Sequence, residues 1–256
     1  MSVTGTLYLV PNTLDFGTTT AGDLPDLQEV LPLGAIRIAA GLTHWVAENA
    51  KTTRAFLKRV DAIVPLSAPL QGIEIVELPR PAKGMKGAPP ERLDALLAPA
   101  LRGHPIGLIS EAGLPAVADP GAALVQAAHA LHVKVVPLSG PSSLMLALAA
   151  SGLNGQSFAF VGYLPVDAAE RTARIRELEA LSRRAGQTQL MIETPYRNEA
   201  LLAGLLGALA PQTRLSVSCG LTLPQGWTRT DTVANWRGAP LALPKDVPAV
   251  FSLLAA

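Results

Sequence analysis

The sequence predicts an α/β protein of two domains, and three observations predict it. Short β-rich runs alternate with helical patterns along the chain, as a parallel sheet with crossover helices requires. Its 256 residues are enough for one large domain or two modest ones, with a full hydrophobic core. Pro115 and Pro120 interrupt the alternation, and it then starts again.

The elements follow in order. Residues 6–10 (TLYLV) read as the first strand and 34–39 as the second, and 45–59 as a helix. Residues 72–78 (GIEIVEL) alternate like a strand, 93–101 are helical, and 105–109 form a short apolar strand. The boundary falls after residue 116, giving an N-terminal domain of 1–116 and a C-terminal domain of 117–256. Beyond it, 122–131 read as a helix, 133–137 as a strand, 142–150 as a helix and 157–161 as a strand. Residues 168–184 form a long, charged, amphipathic helix, followed by a strand (188–192), a helix (198–209) and a strand (213–218). Residues 228–233 and 247–254 read as late, antiparallel strands. The segment 79–90 (PRPAKGMKGAPP) carries four prolines, two glycines and three basic residues, so it reads as a basic loop. No short-period repeat is present, which argues against a solenoid.

Composition narrows the class. Hydrophobic residues make up 49% and charged residues 16%, which is globular and not disordered. A net charge of +1 gives no global basic field of the kind a duplex-DNA binder carries, so no DNA partner is expected. Aromatic residues, at 4%, are too few for extensive base stacking. Cys219 is the one cysteine, so no disulfide framework forms within the chain, as in a reducing cytoplasm. It lies in the alternating run LSVSC and reads as a buried structural thiol. The N-terminus lacks the basic-then-apolar order of a signal peptide. The apolar run 144–150 is far short of the roughly 20 residues that span a bilayer. The expectation is a soluble cytoplasmic protein. His104, His129 and His132 lack metal-ligand spacing, and no metal is expected.

Chemistry concentrates in residues 109–121 (ISEAGLPAVADPG), between a strand and a helix. Ligands of open α/β sheets sit at the carboxyl ends of strands. Gly113 lets a ligand approach the backbone closely, and Pro115 and Pro120 stiffen the turn. Asp119 precedes the helix that starts near Gly121 and reads most simply as its N-cap.

The order LYLVP (7–11), ISEAGLPAVADPG (109–121), VVPLSGPSSLMLALAASGLNGQSFAFVGYLP (135–165) and MIETPYR (191–197) resembles the tetrapyrrole methylase superfamily. Within it, the chain is most similar to the 16S ribosomal RNA cytidine 2'-O-methyltransferases and their uncharacterised relatives. The resemblance covers most of the chain, in order and at matching spacing. It implies two α/β domains, the N-terminal one on the acceptor side and the C-terminal one on the cofactor side. The cofactor, S-adenosylmethionine, lies in the cleft between them, and most members are homodimers. Such a site is built from loops, which fits the absence of G-x-G-x-x-G after the first strand.

Position by position, the resemblance implies the following contacts. Pro11 ends the first strand beside the cofactor. Ala112, Gly113, Leu114 and Val117 hold its methionine end. Ser142 and Ser143 open a helix whose free N–H groups meet polar ligand atoms. Glu193 lies near the adenosine, and Pro248 and Ala249 close over the adenine. Plainer readings stand beside these: Ser142 and Ser143 as helix caps, Glu193 paired with Arg197, and Pro248 opening an edge strand.

The acceptor-facing half departs from the family pattern. The first motif, PTPIGNL in relatives, is Pro11-Asn-Thr-Leu-Asp-Phe-Gly17 here. A run resembling AEDTR is Ala47-Glu-Asn-Ala-Lys51, so Glu48 is kept while Asn49 and Lys51 replace Asp and Arg. Neither replacement is conservative. The catalytic candidates are Glu111, Glu48 and Lys51, with Glu111 first and His44 also near. Arg54, Lys58, Arg59, Lys83, Lys86 and Arg92 form either a solvated face or a phosphate-contacting rim for RNA.

The resemblance implies methyl transfer to RNA, to a ribose 2'-oxygen of ribosomal RNA. C-methylation of a tetrapyrrole-like small molecule is the alternative, although the chain has Ala112-Gly-Leu-Pro115 where that branch has G-G-D-P. A cofactor-binding relative without catalysis is the third reading.

Overall fold

A computed structural model describes residues 4–15, 26–79, 90–239 and 241–256. The basic loop read at 79–90 lies almost wholly outside the described residues, as do Lys83 and Lys86. The chain forms two compact units, Met1–Pro141 and Ser142–Ala256.

The first unit contains β1 (Thr6–Leu9), α1 (Leu27–Val30), α2 (Leu33–Gly41), β2 (His44–Ala47) and α3 (Ala50–Asp61). It continues through β3 (Glu74–Glu77), α4 (Pro90–Leu96), α5 (Ala98–Leu101), β4 (Ile106–Ile109), α6 (Ala122–Ala130) and β5 (Lys134–Pro137). The strands form a parallel sheet in the order β3-β2-β4-β1-β5. All carboxyl ends therefore point the same way. β4 is buried along its whole length, as a strand covered by helices on both faces must be.

Two elements differ from expectation. Residues 34–39 are helical, not a strand. Ile36-Arg37-Ile38 alternates like a strand, but the buried residues Ala35, Ile36, Ala39 and Ala40 recur with the helical period and make one packed face. Residues 45–59 are not one helix. Trp45, Val46 and Ala47 are buried in β2, and the helix begins only after Asn49. The Asn49 side chain accepts the N–H groups of Lys51 and Thr52 at 2.9 and 3.4 Å, an N-cap that fixes where α3 starts.

The division between units also lies elsewhere than residue 116. β5 pairs in parallel with β1, Thr6 to Lys134 through Leu9 to Pro137. After the loop that follows β4, the chain thus returns through α6 to the first sheet, and α6 and β5 complete the first core. Leu124 and Ala128 of α6 pack there with Leu7, Ile106 and Leu108.

The second unit contains α7 (Ser143–Ser151), β6 (Phe158–Tyr163), α8 (Ala168–Ala185), β7 (Thr188–Ile192) and α9 (Asn198–Ala208). It ends with β8 (Arg214–Cys219), β9 (Trp227–Thr232), α10 (Val233–Gly238) and β10 (Ala249–Leu254). Its sheet order is β6-β7-β10-β8-β9. Only β6 and β7 pair in parallel; β10 runs antiparallel to both neighbours and β9 antiparallel to β8. Alternation along β10 feeds two cores: Val250 packs under α7 with Leu144 and Leu148, while Phe251 and Leu253 pack with Ile175, Leu178, Leu205 and Trp236. Cys219 is buried at the end of β8, and burial pushes its thiol up. Among the described residues no helix is long and apolar enough to cross a membrane.

Candidate active site

The carboxyl ends of β1, β4 and β2 gather the sequence candidates of the first unit. After β1 the chain clasps the loop after β4. Asn12 N–H donates to Gly113 O at 2.9 Å, and Gly113 N–H donates to Thr13 O at 3.4 Å. The Asn12 side chain is buried and donates to the carbonyls of Ser110 and Glu111 at 3.2 and 3.0 Å, while its own oxygen accepts Thr13 N–H at 2.9 Å. Asn12 lies in the motif that departs from the family pattern, and sequence reading gave it no role. Its amide is the knot that holds the 110–113 loop.

Gly113 has a φ of +64°, and a Cβ there would lie 3.3 Å from the Leu14 side chain. Pro11 is buried, and a Cβ on Gly140 would overlap its ring at 2.2 Å, so only glycine fits the turn before Pro141. Ala112 is buried, Leu114 is half-buried and Val117 is 45% exposed.

Two catalytic candidates meet. Glu48 Oε2 accepts Glu111 N–H at 3.0 Å, tying the end of β2 to the end of β4. Glu111 Oε1 accepts from Asn49 Nδ2 at 3.1 Å. Asn49, which stands where the family pattern has Asp, thus caps α3 with its oxygen and holds Glu111 with its nitrogen. Lys51 is exposed on the first turn of α3, and among the described residues no bond ties its ammonium to either glutamate. Thr13, Asp15 and Arg59 form a neighbouring link: Arg59 Nη1 lies 3.4 Å from Thr13 Oγ1 and 3.1 Å from Asp15 Oδ2.

His44 is at the opposite end of β2 from Glu48. Its ring stacks on His104 at 5.4 Å, and its Nε2 lies 3.8 Å from Glu74 Oε2. It lies at the amino end of a strand, not at a helix start, and leaves the candidate set.

Asp119 does not cap α6. The N-cap is Gly121, without a side-chain bond. Burial, the negative charge of Glu48 and, more weakly, that of Glu111 raise the Asp119 carboxyl to about 6, against a lowering effect of the Ser110 hydroxyl. No single-residue sequence signal pointed there.

In the second unit, Ser142 is the N-cap of α7, yet neither it nor Ser143 makes a side-chain capping bond. The helix start is left with free N–H groups. Glu193 follows β7 and is buried; Oε2 lies 2.8 Å from Arg197 Nη2, and Oε1 accepts Thr194 N–H at 2.8 Å. The plain reading of Glu193 therefore holds: its charge is already paired. Pro248 precedes β10, which is the central strand and not an edge, and its carbonyl accepts Gly220 N–H at 3.0 Å. Asn198 is fully buried; its Nδ2 donates to Val247 O at 3.1 Å, and among the described residues its Oδ1 has no partner.

No family model matches the chain. It is 36% identical over 138 residues to the ribosomal RNA small subunit methyltransferase I of Mesorhizobium japonicum, covering 54% of this chain and 46% of that protein. It is 29% identical over 210 residues to the protein of that name from Pseudomonas aeruginosa, covering 82% of this chain and 64% of the other. The chain thus spans about half to two thirds of the length of these relatives. The structure of uroporphyrin-III C-methyltransferase from Thermus thermophilus in complex with S-adenosyl homocysteine superposes with a TM-score of 0.53 at 18% identity, over 98% of this chain and 97% of that one. The likeness to the ribosomal RNA methyltransferases is one of sequence, and the likeness to uroporphyrin-III C-methyltransferase is one of fold.

Proposed function

We propose that the chain is an S-adenosylmethionine-dependent methyltransferase acting on a ribose 2'-oxygen of ribosomal RNA. The observation that carries this is the built loop after β4, with Ala112 and Gly113 held by Asn12 and the acidic groups beside them. Likeness to relatives named as ribosomal RNA methyltransferases supports the substrate class.

The residues present fit the cofactor. Gly113 gives the loop its left-handed turn, where a Cβ would crowd Leu14 at 3.3 Å. The unpartnered Asn198 Oδ1, beside the 247–249 segment, is an acceptor that suits an amino group. When bound, the cofactor supplies an electrophilic methyl group on a sulfonium. In this reading Pro11, Ala112, Gly113, Leu114 and Val117 hold its methionine end, and Ser142, Ser143, Glu193, Pro248 and Ala249 its adenosine end. For Glu193 that role requires the carboxylate to serve ligand and Arg197 together. Glu111 and Glu48 order the acceptor side, and Lys51 contributes an exposed positive charge toward RNA. Orientation supplies much of the rate, as in any in-line displacement. The reading includes a cytoplasmic homodimer; exposed Phe158, Phe160 and Tyr163 on edge strand β6 offer apolar surface for it.

The test is transfer of labelled methyl from the cofactor to small-subunit RNA from a strain lacking the relevant 2'-O-methylation. Incorporation at a ribose is expected. Absence of label in every RNA fraction would overturn the reading.

A further inference from the structure

Four basic residues, Lys51, Arg54, Lys58 and Arg59, fall on α3, and the fold sorts them. Phe56, Leu57 and Val60 are buried in the first core and fix which side of the helix turns inward. Arg59 goes with that side: it is half-buried and bonds Asp15 and Thr13. Lys51, Arg54 and Lys58 are exposed, and spacings of three and four residues put them in one row along the outer face. Arg54 Nη1 donates to Ala50 O at 3.3 Å, which lays its guanidinium back toward the first turn and Lys51. A helical rise of 1.5 Å per residue sets the three Cα atoms roughly 4.5 and 6 Å apart along the axis. Each step is of the order of one to two nucleotides, at about 3.4 Å per nucleotide along one strand of a duplex.

The row carries no balancing charge. Among the described residues no carboxylate pairs with Lys51, Arg54 or Lys58. The acids that adjoin the helix serve the backbone instead: Glu77 Oε1 accepts Ala50 N–H at 2.8 Å, and Asp61 Oδ1 accepts Leu66 N–H at 3.0 Å. The other long charged helix, α8, shows what a merely solvated face looks like. There glutamates are interspersed with the arginines, and Arg174 pairs with Glu177 at 2.6 Å. Arg171 bonds the carbonyls of Pro165 and Val166, and Arg183 bonds Ala256 O. α3 has the cations without such partners. Its row also starts at the acceptor side, because Asn49, the residue before the helix, holds Glu111.

We propose that the outer face of α3 is the surface that takes the phosphate backbone of the acceptor RNA strand, with Lys51 nearest the reacting nucleotide and Arg54 and Lys58 on the flanking ones. The assignment rests on the ribosomal RNA reading above. Like charges at helical spacing repel one another, and a ligand with a negative charge at each repeat relieves that repulsion. A polyanion therefore fits the row better than a single anion does. Contacts of this kind fix the position of the strand and carry no sequence information of their own. An aromatic content of 4% agrees with a grip on the backbone and not on stacked bases. Each phosphate neutralised by the row releases counterions, so the contact weakens as salt rises.

The experiment measures equilibrium binding of small-subunit RNA to the full chain against salt concentration. It compares the wild type with Arg54→Gln/Lys58→Gln and with the charge-keeping Arg54→Lys/Lys58→Arg. A third pair, Arg176→Gln/Arg184→Gln, removes the same charge from exposed positions on α8. The α3 pair should weaken binding about tenfold or more near 0.1 M salt. It should also flatten the log–log salt slope by about 1.4, at about 0.7 per phosphate contact on a single strand. Its S-adenosylhomocysteine affinity and Tm should stay at wild-type values, which localises the loss to RNA. The charge-keeping pair should bind within about twofold of the wild type, since a backbone contact needs the charge and not the fork. The α8 pair should keep the wild-type affinity and slope. An α3 pair that binds like the wild type at every salt concentration overturns the proposal. So does an α8 pair that weakens as much, because net charge alone would then account for the effect. Polyglutamate that competes as well as RNA does would also overturn it, in favour of an acidic protein partner. A chain that shows the α3 effect but transfers no methyl to RNA overturns the methylation reading and leaves the surface standing. One that methylates RNA without the α3 effect overturns the surface alone.

Discussion

Two acidic regions of this molecule solve opposite problems. In the second unit, buried Glu193 meets a cation at once: Arg197 takes one oxygen, and Thr194 N–H takes the other. In the first unit, Glu48 accepts the Glu111 N–H, Asn49 holds the Glu111 carboxylate, and both negative charges raise the Asp119 carboxyl. The paired charge is fixed. The other group has one member, Asp119, whose carboxyl is raised to about 6 by burial and by its acidic neighbours. Structural acidity and chemical acidity are thus separated in one chain by what stands opposite the carboxylate.

The largest expected effect breaks the compensated side. Arg197→Ala leaves Glu193 buried without its cation and should cost about 2–3 kcal/mol, read as a lower denaturation midpoint at constant m-value. A loss under a few tenths would show that Thr194 alone suffices. Next in size, Asn49→Ala removes both the α3 cap and the bond to Glu111, at about 1 kcal/mol. Asn49→Ser keeps a capping oxygen and loses only the bond to Glu111, so a stability equal to that of the alanine variant would contradict the capping account.

These two residues also show what was legible in sequence. The alternation of strands and helices was readable because period 2 and period 3.6 differ wherever runs are long, as in residues 168–184 and 213–218. It failed at 34–39, where Ile36-Arg37-Ile38 mimics a strand over three residues, and at 45–59, where one Asn stops a strand and starts a helix. The positions of Glu48 and Glu111 followed from strand ends. The roles of Asn12 and Asn49 did not, because both depend on partners about 60 to 100 positions away in the chain. Asp119 read as a cap, since left-handed Ala116 and Ala118 carry no sequence signature.

A pH-dependent effect sharpens the uncompensated side. Asp119→Asn should stabilise the fold at neutral pH. The folded state raises this carboxyl from 3.8 to about 6, so above pH 6 the ionised form disfavours folding. Protonation removes that penalty, and the variant's advantage should shrink as pH falls from about 6 toward 3.8. Thermal melts of both proteins across that range decide it. An advantage independent of pH would mean that Asp119 is not the group responsible. Replacing Glu111 by Gln should move the Asp119 midpoint lower, because a negative charge that opposes its ionisation is gone.

The most direct measurement of the central claim is calorimetric titration of the chain with S-adenosylhomocysteine. The account predicts one site per chain with micromolar affinity, weakened in Gly113→Ala, where a left-handed backbone at φ +64° must accept a Cβ 3.3 Å from Leu14. Binding no tighter than about millimolar, roughly 4 kcal/mol, or a Gly113→Ala variant that binds like the wild type, would contradict it.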